Sequence, residues 1–256
     1  MARIARIVIP GVPHHVTQRG NRRGTVFFED EDYRTYLKLL SSAAEKAGTE
    51  VWGYCLMPNH VHLILVPRHE DGLRATLGDA HRRYTRLINA RNQWTGHLWQ
   101  GRFGSVAMDE GHLINAIRYV SLNPVRAKLV EKAADWPWSS VRAHLDGKDD
   151  RLVSVAPALE RCPDFAALLE AGEDEEMSMA LRKAETIGRP VGADSWLEGL
   201  ETRLGRKIRP SKRGRKAKSK LSSMDAPLIA RDLFGSGKVG LQSSIRPVCA
   251  AFDRWP

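Results

Sequence analysis

Residues 52–67 read WGYCLMPNHVHLILVP, two runs rich in Val, Ile, Leu, Tyr and Trp on either side of Pro58-Asn59. A Pro-Asn pair between apolar runs is turn chemistry, so the stretch predicts two antiparallel strands joined by a tight turn. Successive side chains of a strand point to opposite faces, so His60 and His62 share one face while Val61, Leu63 and Leu65 share the other. Two imidazoles side by side can chelate one divalent ion. Burying both without partners would be costly, which favours a metal site over one satisfied core histidine beside one solvent-facing accident. Two histidines do not complete such a site, because a catalytic ion usually has at least one more protein ligand.

The segment 111–126, GHLINAIRYVSLNPVR, supplies the candidate. Leu113, Ile117 and Val120 or Ser121 recur at helical spacing, Tyr119 and Asn123 stand four apart on one face, and Pro124 ends or kinks the helix. Upstream, HHVTQR (14–19) alternates as a first strand, and Gly20 to Gly24 read as a basic turn able to hold phosphate. Residues 29–47 predict an amphipathic helix with acids at its start. Leu73, Leu77, Ala80, Tyr84 and Leu87-Ile88 mark a second helix whose polar face carries Arg74, Arg82, Arg83 and Arg86. The loop at 94–102 is aromatic and basic, a composition open between base stacking and burial for Trp99 and Phe103. A last short strand falls at 103–108.

The order is strand, helix, strand, strand, helix, strand, helix. This predicts an α+β, ferredoxin-like (RRM-like) antiparallel sheet with packed helices. The first and third strands become central neighbours, so His14 or His15 could approach the histidine pair, although a structural role is the favoured reading for both. The fold alone does not define function, since RRM-type binders share it.

With 256 residues, 42% of them hydrophobic, the chain can build a real core. The formal net charge of +10 points to a polyanionic partner. Cys55, Cys162 and Cys249 form no C-x-x-C pair, so neither a disulfide framework nor a cysteine zinc site is expected. The basic N-terminus reaches Pro10 after too short an apolar run for a signal peptide, and no later apolar stretch could span a membrane, so a soluble intracellular protein is expected. The organisation reads as a domain at 1–147, a small helical region at 148–205, and a basic, disordered tail at 206–256 in which Lys212, Arg213 and Arg215 would meet phosphates. Gly235-Ser236-Gly237-Lys238 is not a P-loop, because Asp232 stands where the first glycine should be.

The HVH triplet after MPN, followed downstream by RYVSLNPVRA (118–127), resembles the HUH transposases of the IS200/IS605 kind, which carry one catalytic tyrosine, and above all their REP-associated tyrosine transposase branch. The likeness extends through HHVTQRGNRR (14–23), FFEDEDYRTYL (27–37), GHLWQGRF (96–103) and WPWSSVRAHL (136–145). It implies that His60, His62 and Asn123 hold Mg²⁺ or Mn²⁺ and that Tyr119 is the nucleophile, giving a 5′-phosphotyrosine and a free 3′-OH. The implied partner is a single-stranded DNA hairpin like a repetitive extragenic palindrome (REP), met by Arg19, Asn21, Arg22, Arg23, Arg82, Arg83, Arg102 and Arg126. The implied setting is the cytoplasmic nucleoid, with a monomer favoured over a homodimer. Two rivals remain: a regulator that binds nucleic acid on the same fold without cleaving it, and a metal nuclease that uses water. Tyr84, the internal rival to Tyr119, has Ile88 rather than an amide four residues on and reads as core.

Overall fold

A computed structural model describes residues 6–171 and 174–209, apart from the side chain of Thr186. Most of the expected basic tail, with Lys212, Arg213, Arg215 and everything after Leu221, lies outside the described residues. The elements are β1 (His14–Arg19), α1 (Asp30–Lys46), β2 (Thr49–Met57), β3 (His60–Pro67), α2 (Gly72–Asn92), β4 (Gly104–Ala107), α3 (Glu110–Ser121) and α4 (Asn123–Arg126), then α5 (Val141–Leu145), α6 (Ala156–Arg161), α7 (Phe165–Glu170), α8 (Glu175–Ile187) and α9 (Asp194–Leu204). The strands form one antiparallel sheet in the order β2-β3-β1-β4. This is the α+β, ferredoxin-like arrangement that the order of apolar runs predicts.

Pro58 and Asn59 alone separate β2 from β3. Their carbonyls also anchor the loop after β1: Asn59 O accepts from Gly20 N–H at 2.8 Å and Pro58 O from Val26 N–H at 2.9 Å. The alternation in β3 divides two cores. Val61, Leu63 and Leu65 join Val16 against Tyr36, Leu40, Leu77 and Tyr84 of α1 and α2. Ile64 and Val66 join Cys55, Met57 and Val106 against Leu113, Ile117 and Val120 of α3, with Phe165 and Leu168 of α7 and Leu181 and Ala184 of α8. With helices on both faces, β3 has no solvent-facing row, which is why it reads as a nearly unbroken apolar run.

Two boundaries depart from the sequence pattern. Leu87 is half exposed while Ile88 is buried, so the apolar stripe of α2 runs 73, 77, 80, 84, 88. The helix carrying Tyr119 breaks at Leu122, two residues before the proline; Pro124 sits in the first turn of α4, where its missing N–H costs nothing. Near the end of the described chain, Ile208 is buried and Arg209 pairs with Glu198 and Glu201 of α9, each at 2.8 Å. Among the described residues no helix is long and apolar enough to cross a membrane.

Candidate active site

The pairing of β1 with β3 sets Thr17 opposite His62 and Arg19 opposite His60. These four residues therefore share the sheet face covered by α3, at the end of the sheet where that cover stops. A cleft of about 500 Å³ opens there, lined among others by His60, His62, Arg19, Arg23, Arg102 and Glu185.

His60 is held by its neighbour in the turn. Its Nδ1 lies 2.6 Å from Asn59 Oδ1, and Asn59 Nδ2 donates to the carbonyl of Arg23 at 3.1 Å. An amide oxygen only accepts, so His60 carries its proton on Nδ1 and keeps a lone pair on Nε2. His62 is buried, with Nδ1 2.9 Å from Nε2 of the fully buried His15. On the far side of that ring, His15 Nδ1 lies 3.0 Å from Glu185 Oε1, close but poorly aligned for a hydrogen bond. Burial, reinforced by Arg19 and Arg126, pushes His60 down to about 3, and burial with the neighbouring His60 and His15 pushes His62 well below the usual imidazole range. Both rings are therefore neutral at neutral pH, the form that binds a cation.

Asp109 fixes the start of α3, accepting from His112 N–H at 3.0 Å and from Ala193 N–H at 2.7 Å. Leu113, Ile117 and Val120 turn into the sheet, and Tyr119 follows onto the histidine face. Its ring stands edge-on to His62 at 5.7 Å and to His15 at 6.0 Å between centroids, with the guanidinium carbon of Arg126 4.0 Å from its centre. Asn123, one turn on, is buried where α4 packs on β2. Its Nδ2 has no hydrogen-bond partner.

Neutral imidazoles at His60 and His62 and the Glu185 carboxylate, all lining the cleft, suit a divalent cation; Asn123 is not among the lining residues. Ligand atoms of His15, His62 and Glu185 all lie within 4.8 Å of one another. Of the basic residues expected to meet DNA, Arg19, Arg23 and Arg102 line the cleft, Arg126 covers Tyr119, and Asn21 and Arg22 are exposed on the turn after β1. Arg82 and Arg83 are not brought there: they pair with Asp79 on the exposed side of α2, across the sheet. Trp99 is buried, stacked on His81 at 4.5 Å, while Trp94 is half exposed against Phe28. Tyr84 is fully buried and donates to Val26 O at 2.7 Å, as core. Sequence reasoning missed Glu185, a single acid in generic helical sequence, and for His15 it allowed an approach to the histidine pair while favouring a structural role.

The sheet is ferredoxin-like, with a histidine pair on an inner strand and a helix tyrosine packed against it. Residues 10–123 match the family described as "Transposase IS200 like". The chain is similar to a Haemophilus influenzae protein assigned to the REP-associated tyrosine transposases, 28% identical over 102 residues, covering 36% of this chain and 58% of the relative. It is also similar to the REP-associated tyrosine transposase of Escherichia coli, 23% identical over 92 residues, covering 36% of this chain and 53% of the relative. The chain thus spans little more than half the length of these relatives. A solved REP-associated tyrosine transposase bound to a REP hairpin shares the fold, with a TM-score of 0.51 at 20% identity over 60% of this chain and 92% of that one.

Proposed function

We propose that this chain is a metal-dependent endonuclease and strand transferase that cuts single-stranded DNA beside REP-like hairpins through a covalent bond to Tyr119. The observation that carries this reading is the approach of Tyr119 to His62, 5.7 Å between ring centroids, beside an arginine-lined cleft. A phenol titrates near pH 10 and is a weak nucleophile until it sheds its proton. The Arg126 guanidinium lies over the ring, 4.0 Å from its centre, and brings positive charge to the nucleophile and to the phosphate it attacks.

Tyr119 Oη then bonds to phosphorus as the bond from phosphorus to the 3′ oxygen breaks. The 3′ oxygen takes up one proton, balancing the one the phenol released, and the products are a 5′-phosphotyrosine and a free 3′-OH. One phosphoester replaces another, so no nucleotide is consumed. His60, His62 and Asn123 would hold Mg²⁺ or Mn²⁺, which would supply positive charge to polarise the scissile phosphate. Arg19, Arg23 and Arg102 hold the strand by its phosphates, and single strands suit such a cleft because their bases are splayed. In this reading 1–147 is the catalytic domain, 148–205 packs against it, and the basic arm at 206–256 adds phosphate contacts. The protein works as a monomer on the cytoplasmic nucleoid.

Hairpins flanking the gene, labelled at the 3′ end and incubated with Mn²⁺, test the reading: label should become covalently bound to protein and map to the peptide containing Tyr119. Binding without any adduct would favour the regulator.

A further inference from the structure

Glu185 belongs to α8, beyond the 10–123 stretch that matches the family, yet its carboxylate reaches the histidine face. We propose that Glu185 and His15 are positioning residues that lock His62 in one tautomer, its Nδ1–H turned to His15 and its Nε2 left with the lone pair that a cation needs.

A neutral imidazole has one donor and one acceptor nitrogen, so the 2.9 Å contact between His15 Nε2 and His62 Nδ1 allows two assignments. If His15 donates from Nε2, its Nδ1 becomes a lone pair facing the Glu185 carboxylate oxygen at 3.0 Å, acceptor against acceptor. His62 then carries its hydrogen on Nε2 and is closed to a cation on that side. If instead Glu185 accepts from His15 Nδ1–H, His15 Nε2 accepts from His62 Nδ1–H and every contact is donor to acceptor. Among the described residues neither Glu185 Oε1 nor His15 Nδ1 has another hydrogen-bond partner, so a small rotation of the carboxylate satisfies both buried atoms at once.

The two histidines of the pair are thus tethered alike through Nδ1, His60 by Asn59 from its own turn and His62 by His15, which a carboxylate carried on α8 holds in turn. Outer contacts of this kind fix the ring and raise its basicity. The helices after residue 147 are then more than a cover: α8, packed on α3 and β4, completes the site.

The inference rests on His62 being a ligand, as the proposed function has it, and two readouts on the full chain separate the claims. Nitrogen NMR of the metal-free protein should report His15 and His62 both protonated on Nδ1. Glu185→Leu should lose that state at His15, and Glu185→Gln, which keeps an acceptor oxygen, should retain it. Mn²⁺ titration followed by electron paramagnetic resonance should show Glu185→Leu weakened about tenfold to a hundredfold, with Glu185→Gln several-fold closer to the parent. A hydrogen on His62 Nε2 in the parent protein, or Mn²⁺ affinity equal in the parent and both variants, would overturn the relay alone. No Mn²⁺ binding by the parent would overturn the relay together with the metal-dependent reading.

Discussion

Asn59 bridges the two sides of the cleft: its Oδ1 accepts from His60 Nδ1 at 2.6 Å while its Nδ2 donates to Arg23 O at 3.1 Å. One turn residue therefore sets both the tautomer of His60 and the path of the basic loop after β1. Asn59→Ala should weaken Mn²⁺ binding about tenfold or more while cooperative unfolding persists. Asn59→Asp, which keeps the acceptor, should stay close to the parent. Calorimetric titration with Mn²⁺ checks this, and equal affinity in the alanine variant would remove the role given to the turn.

The cleft arginines should be distinguishable from those of α2 by salt. Arg19→Ala, Arg23→Ala and Arg102→Ala should each lower the slope of log affinity against log salt by about 0.7 for a single-stranded ligand. Arg82→Ala and Arg83→Ala should leave it unchanged, because those side chains pair with Asp79 on the opposite layer. Fluorescence anisotropy over a salt series reads the slopes; an equal loss for both groups would mean that DNA also tracks along α2.

Tyr84 provides a control for the nucleophile. Tyr84→Phe deletes a buried hydroxyl bonded to Val26 O at 2.7 Å and should cost about 1 kcal/mol in urea unfolding. Cleavage should continue at nearly the parental rate.

His14 makes stability depend on pH. Its Nε2 accepts from Ile9 N–H at 3.2 Å and its Nδ1 lies 2.7 Å from Val12 O, so the neutral ring is fully satisfied, and burial lowers its pKa from 6.5 to about 4. As pH falls the unfolded chain takes up this proton first. The stability contributed by the neutral ring is complete above about 6.5 and lost down through about 4. Between pH 7.5 and 5 the parent should lose about 2 kcal/mol more than His14→Gln in urea unfolding. Parallel losses in the two proteins would contradict this.

The strands, the two long helices and the division of β3 between two faces were legible because alternation and helical spacing are local signals. His60, His62 and Tyr119 stood out for the same reason, as unusual residues inside strongly patterned elements. The strand order brought His14 or His15 towards the histidine pair, but which of them meets His62, and through which nitrogens, depends on the register of β1 against β3. Glu185 was hidden further still, because only tertiary packing carries α8 to the sheet. That Arg82 and Arg83 lie on the layer away from the cleft was hidden too, because a basic helix face carries no label saying which side of the sheet it will occupy.

The most direct test of the central claim is denaturing gel electrophoresis of the parent protein and Tyr119→Phe, each incubated with labelled single-stranded hairpin DNA and Mn²⁺. The account predicts a slow, protease-sensitive adduct with the parent and neither adduct nor cleavage with Tyr119→Phe. Cleavage by both proteins would contradict it and assign the attack to water.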